Sequence, residues 1–214
     1  MIKLENISKV FETEYKQLTV FKNLNLEIPD NSFQVIFGHS GAGKTTLLNI
    51  IGGMDRPTTG RVLIDGVDIY SLKPNEMARL RKERIGFIFQ TFNLLPNLSA
   101  LDNITLPAAL DIDLKNKQET ACQFAEGIGI GPRLSHKPQA LSAGEQQRVA
   151  VTRAMINSPS IILADEPTAD LDEENAKKII EILTNLQKKN QRTVIFATND
   201  ALIAKLFPQR FDLI

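Results

Sequence analysis

FQVIFGHSGAGKT, Phe33 to Thr45, is the stretch that decides the fold. FQVIF is a short apolar run of the kind found in buried strands, and the KTTLLNIIGGM that begins at Lys44 reads as a helix ending near Gly52 and Gly53. Between them, Gly38 to Thr45 matches G-x-x-x-x-G-K-[ST] in full, with the strand before and the helix after that the pattern requires. Glycines there let backbone N–H groups turn inward around phosphate oxygens at a helix N-terminus. Lys44 would neutralise the terminal phosphates, and the Thr45 hydroxyl is placed to ligate Mg²⁺. His39 lies inside the loop and is read as a loop position, neither base nor ligand.

Outward from this point the chain alternates strands and helices. Ile2 to Phe11 and Leu18 to Ile28 are β-prone and feed the central strand as a partly antiparallel N-terminal portion. Asp55 to Gly60 is turn chemistry before the strand RVLID, Pro74 to Arg84 is a charged helix, and IGFIFQ (85–90) is again an apolar strand with a polar end. From Asp102 to about Gly131 the pattern is helical and more polar. AGEQQRVAVTRAMINS, SIILAD, ENAKKIIEILTNLQKK and RTVIFAT then read as helix, strand, helix, strand. The expectation is an α/β chain, one domain over 1–214. It has a P-loop NTPase core with a mainly parallel sheet, the antiparallel N-terminal part, and an α-helical subdomain inserted at roughly 91–158.

Composition sets limits. A chain of 214 residues, 43% hydrophobic, can bury a sizeable core, and Lys+Arg 25 against Asp+Glu 25 leaves no net field to gather nucleic acid or an anionic membrane surface. No nucleic-acid partner is expected, and anion binding must be local. The one cysteine, Cys122, precludes an intrachain disulfide and fits a reducing compartment. No secretory pattern opens the chain, and no apolar run approaches the ~18 residues needed to span a bilayer, so the chain reads as cytoplasmic. The ending FDLI reads as a last strand with no regulatory domain after it.

Ligands of such sheets bind beyond the carboxyl ends of the strands. IILADE delivers Asp165 to a strand end, where it can hold Mg²⁺ through its hydration shell. One step further on, Glu166 can polarise a water in line with a γ-phosphate. Gln90, ending a neighbouring strand, is neutral and suited to touching both the metal and the attacking water. LSAGEQQRVAVTRA, Leu141 to Ala154, opens a helix with Ser-Ala-Gly and no basic residue in its first turn.

At that point the sequence resembles the ATP-binding cassette (ABC) family, whose signature LSGGQ stands here as Leu141, Ser142, Ala143, Gly144, Glu145. The resemblance spans the chain. It takes in Phe11 where the family has an aromatic that stacks on adenine, the phosphate loop, Gln90, the two acids, and Ala169-Asp170-Leu171-Asp172 in the family's dimer-contact loop. IIGGMDRPTTG and IGFIFQTFNLLPNLSALDNI are similar to the macrolide-export, lipoprotein-release and cell-division type ATPases.

The resemblance implies an ATP-hydrolysing subunit that dimerises head to tail with a second ABC subunit. Each ATP would be held by Gly38, His39, Ser40, Gly41, Ala42, Gly43, Lys44, Thr45 and Thr46 of one chain and by Ser142, Gly144 and Glu145 of the other. Mg²⁺ would sit at Thr45, Gln90 and Asp165. Membrane permease subunits would be contacted near Thr91–Leu101, leaving the chain peripheral at the inner face of the cell membrane. Where the family has Thr-His-Asp, this chain has Thr198, Asn199, Asp200, so Asn199 stands in the histidine's catalytic place and turnover is expected to be slow. Two other readings stay open: a partly degenerate nucleotide-sensing cassette of a heterodimer, and a soluble ABC ATPase that moves no substrate.

Overall fold

Alternation along Ile2–Glu12 (β1) turns Ile2 and Leu4 to the inside, and an irregularity at Asn6 (φ 52) shifts the phase so that Ile7 also faces in. β1 pairs antiparallel with Gln17–Ile28 (β2) on one side and Thr59–Ile64 (β4) on the other, and β4 carries the short Val67–Asp68 (β5), giving the order β2-β1-β4-β5. The computed structural model describes residues 1–12, 16–109 and 111–213.

The second sheet is parallel throughout, and all of its strands except the edge strand RFD are near-continuous apolar runs. Its order is Ile85–Ile88 (β6), Ile161–Asp165 (β7), Thr193–Thr198 (β8), Phe33–Phe37 (β3), Arg210–Asp212 (β9). Register aligns the strand ends: Ile88 lies opposite Ala164, Asp165 opposite Ala197, and Thr198 opposite Phe37. The residues that follow β6, β7, β8 and β3 therefore emerge along one edge.

Three apolar clusters hold the layers. Between the sheets, Ile7, Ile36 and Ile195 pack with Leu47 and Ile50 of Lys44–Ile51 (α1). On the other face of the parallel sheet, Ile162, Val194 and Phe196 meet Ile179 and Leu183 of Glu173–Asn190 (α6) and Val151 of Ala143–Met155 (α5). The third cluster lies among helices: Ile104 of Ala100–Thr105 (α3), Ala121 and Ala125 of Leu114–Gly127 (α4), and Val149 of α5. Pro74–Arg84, here α2, buries no residue, and Cys122 is half-buried on α4.

Two expectations need correction. IGFIFQ does not stay a strand to residue 90. β6 ends at Ile88, where its pairing with β7 ends, and Phe92 and Asn93 then take left-handed backbone (φ 58 and 48), so Gln90 stands in a turn. RVLID is not a strand through Asp65 either. Asp65 and Gly66 both have positive φ and form the two-residue turn of a hairpin that pairs Ile64 with Val67.

Candidate functional site

The loop between β3 and α1 is shaped by two glycines. Gly43, at the N-terminus of α1, has φ +94, and a Cβ there would fall 2.4 Å from Val20 Cγ1, so only glycine lets β2 press against the loop. Gly41 is also left-handed (φ +82) but faces open space. The loop's one cation is Lys44, 4% exposed. Its ammonium donates to the carbonyls of Gly38 (2.8 Å) and His39 (3.0 Å) and pairs with Glu166 Oε1 at 3.0 Å. His39, Ser40 and Gly41 are exposed, Ala42 and Lys44 buried, Thr46 half-buried, and His39 Nδ1 donates to the Ser40 carbonyl.

The acids arrive on β7. Thr45 Oγ1 donates to Asp165 Oδ2 at 2.7 Å, while Asp165 Oδ1 is buried with no hydrogen-bond partner. Burial is the main cause that pushes the Asp165 carboxyl above its ordinary range, with the neighbouring Glu166 adding to it and the Thr45 bond opposing it. A buried carboxylate oxygen without a donor, beside a hydroxyl at the head of a phosphate-loop helix, is an oxygen-only pair of the kind a hard divalent cation prefers. The residues present fit Mg²⁺. Glu166 is held in left-handed backbone (φ 41), its N–H on the Ala197 carbonyl at 3.0 Å, which turns the chain sharply where β7 ends.

From β8, Asn199 is exposed and its Nδ2 donates to Ser40 Oγ at 3.3 Å, so this amide already leans on the phosphate loop. Asp200 caps Ala201–Ala204 (α7) through the N–H groups of Leu202 and Ile203. Gln90 is exposed two residues beyond β6. Phe11, on β1, is 40% exposed, and its strand partner is Leu18 of β2, close in sequence to the Val20 and Phe21 that crowd Gly43.

Ser142, Gly144 and Glu145 lie elsewhere, at the N-terminus of α5. Among the described residues no hydrogen bond or ion pair joins them to 38–46. Ser142 Oγ accepts from Glu145 N–H (3.3 Å) and Glu145 Oε2 accepts from Ser142 N–H (2.8 Å), a capping box, while Arg133 Nε donates to Glu145 Oε1 (2.8 Å). These bonds hold the Glu145 carboxyl below its ordinary range, the Ser142 amide first and Arg133 second. Gly144 is buried, and a Cβ there would fall 2.3 Å from Asn175 Oδ1 of α6.

Sequence reasoning missed the residues that hold the loop after Gln90. Arg153, in the last turn of α5, donates to the carbonyls of Phe92 (2.7 Å) and Asn93 (2.5 Å). Asn103, fully buried on α3, accepts from Leu95 N–H (2.7 Å) and donates to the carbonyls of Leu95 (3.1 Å) and Ser99 (2.9 Å). The available signal was an amide among apolar positions of a helix. Leu95 remains exposed and Leu94 packs inward. Beside this loop a groove of about 420 Å³ runs between α2, β6 and α5, lined by Met54, the stacked Phe87 and Phe89, Arg81, Lys82 and Arg153. Among the described residues no helix is long and apolar enough to cross a membrane.

A protein-family profile described as ABC transporter matches residues 21–169. The chain is 42% identical over 206 residues to an uncharacterized ABC transporter ATP-binding protein, YvrO, of Bacillus subtilis, covering 96% of this chain and 90% of that one. It is 42% identical over 205 residues to the lipoprotein-releasing system ATP-binding protein LolD of Syntrophus aciditrophicus, covering 95% and 92%. A solved dimer of the ATP-binding cassette MJ0796 from Methanocaldococcus jannaschii, in a post-hydrolysis state bound to ADP and Pi, matches with TM-score 0.88 at 39% identity. That match covers 100% of this chain and 94% of the other.

Proposed function

The chain belongs to the ABC transporter family, and from that premise we propose how this ATP-hydrolysing subunit divides its work among its residues. Gly38 to Thr46 wrap the phosphates of ATP, with Lys44 on the β- and γ-phosphates and Phe11 beneath the adenine. Thr45, Asp165 and Gln90 would hold Mg²⁺, which would supply positive charge against the negative charge that develops on the phosphate oxygens.

Lys44 exchanges its present acceptors for phosphate oxygens, and this releases the Glu166 carboxylate. Glu166 then orients a water in line with the γ-phosphorus and draws its proton, as the new P–O bond forms and the bond to ADP breaks. Asn199 donates one hydrogen bond toward the γ-phosphate. It cannot become cationic as a histidine could, so turnover is slower than a histidine at 199 would give. The other wall of the site is Ser142, Gly144 and Glu145 of a second copy or a sister cassette, docked head to tail with Ala169 to Asp172 at the contact.

The helical unit at roughly 91–158 passes closure of that dimer to membrane permease subunits. These rest on Thr91–Leu101, with exposed Leu95, and on the neighbouring groove of Met54, Phe87 and Phe89. The chain then lies at the inner face of the cell membrane without crossing it.

What supports this reading most is the unpaired Asp165 Oδ1 beside the Thr45 hydroxyl, one residue from a Glu166 already within 3.0 Å of Lys44. Glu166→Gln keeps the shape and loses the charge. Gel filtration of this variant with MgATP is expected to give a stable dimer with turnover lost. A monomer under saturating nucleotide, hydrolysing normally, contradicts the assignment.

A further inference from the structure

Lys9 is a buried cation that the proposed chemistry does not use. It is 8% exposed on β1, and its ammonium donates to Asp55 Oδ1 at 2.6 Å and to the Arg56 carbonyl at 2.9 Å. The same nitrogen stands 4.6 Å from the centroid of the Phe11 ring.

Asp55 belongs to the exit of the phosphate-loop helix. The N–H groups of Met54 and Asp55 both return to the Asn49 carbonyl (2.8 and 3.2 Å), and the Tyr70 hydroxyl donates to the Ile50 carbonyl (2.6 Å) as well as to that of Asp55. Lys9 is therefore a strut between the far end of α1 and the ring on β1.

We infer that Lys9 is the positioning residue for the Phe11 ring as a platform for the nucleotide base, an inference that rests on the reading of Phe11 as the adenine stack. The ammonium fixes the ring by cation–π attraction from one side. Phe11 is 40% exposed, and the inference places the base on its solvent-facing part. A cation on one face of the ring also draws π density away from the opposite face, which lowers repulsion toward an electron-rich purine stacked there. Because Lys9 is bonded at the exit of α1, the platform keeps a set distance from the phosphate loop at the other end of that helix. Asp55 offsets the charge of the buried ammonium, which could not otherwise be held there.

A strut that serves the base has a signature different from one that serves the phosphates. In the intact purified chain, Lys9→Met is expected to weaken ATP and ADP binding by about three- to tenfold. It raises the KM for ATP with little change in kcat and leaves the affinity for inorganic tripolyphosphate as it was. Lys9→Arg, which keeps the cation, restores most of the loss. Asp55→Asn, which loosens the ammonium without removing it, gives the same selective pattern in smaller measure, and it stands in if Lys9→Met does not fold. In a Phe11→Ala background, Lys9→Met costs nothing more.

Equal weakening of tripolyphosphate and ATP overturns the inference, because Lys9 then serves the phosphate loop. So does an unchanged ATP affinity in Lys9→Met when Phe11→Ala lowers it. If Phe11→Ala itself leaves ATP affinity unchanged, the base-stack reading falls and the inference falls with it.

Discussion

The edge of the parallel sheet and the N-terminus of α5 are both proposed to face phosphate, and they are finished differently. At the sheet edge, side chains from separate strands converge within one chain: Lys44 on Glu166, Thr45 on Asp165, Asn199 on Ser40. At α5, the polar side chains serve the helix itself, through the Ser142–Glu145 capping box and Arg133, and Ala143 is exposed. In the reading proposed above, the first region holds the nucleotide with residues of one chain. In that reading, the second serves the nucleotide of a partner chain. Binding should therefore belong to the first region alone, and turnover to both.

Breaking each region separately gives the largest effects. Lys44→Ala removes the loop's cation and is expected to abolish ATP binding in isothermal titration with MgATP. Ser142→Arg puts bulk and charge on the α5 surface. It should leave ATP binding to the single chain near its original affinity while abolishing hydrolysis. Loss of binding in both variants would dissolve the distinction between the two regions.

Asn199→His sharpens the comparison inside the sheet edge. A neutral amide in place of a donor that can carry charge forgoes part of the ~10²–10³ in rate that one preorganised donor contributes, so steady-state hydrolysis should rise, with the change in kcat and little in KM. If the parent protein already turns over rapidly and the substitution does nothing, Asn199 is not where the γ-phosphate is sensed.

The smallest effect is on stability. Asp165 has its carboxyl pKa raised, chiefly by burial. Its protonated form is favoured in the folded chain, a stabilisation present below the ordinary carboxylate range and lost as pH rises through the raised value. At neutral pH the charge is a cost, partly offset by Thr45 and Lys44. Asp165→Asn should therefore raise the melting temperature of the nucleotide-free chain by roughly 2–4 °C, the shift that about 1 kcal/mol gives at this length. The gain shrinks toward acid pH, and Mg²⁺-dependent binding is lost. A lower melting temperature at neutral pH would contradict the account of the unpaired oxygen.

What could be read from the sequence follows from how local each feature is. The phosphate loop, with its strand and helix, and the run IILADE are contiguous patterns whose physics is complete within about a dozen residues, and the parallel strands announce themselves as apolar runs. The hairpin turn at Asp65-Gly66 is equally local but gives no strand signal after it, because Val67–Asp68 is only 2 residues long. Arg153 and Lys9 were illegible for another reason. Their partners, Asn93 and Asp55, lie 60 and 46 residues away, and a cation in a helix end or a strand reads as solvated until the fold brings an acceptor to it. In the sequence, Gly144 reads as part of a phosphate-gripping surface. The fold adds a second reason for glycine there, the close approach of Asn175.

The central claim is that a working site takes its loop from one chain and its α5 surface from another. Mixing tests it most directly. Lys44→Ala and Ser142→Arg chains are each expected to be inactive alone. A pair of one with the other contains one intact site, formed by the phosphate loop of the Ser142→Arg chain and the α5 surface of the Lys44→Ala chain. Steady-state ATP hydrolysis measured on the mixture should return well above that of either variant. If the mixture stays as inactive as its components while both variants are folded, the two regions do not meet across a dimer and the account is wrong.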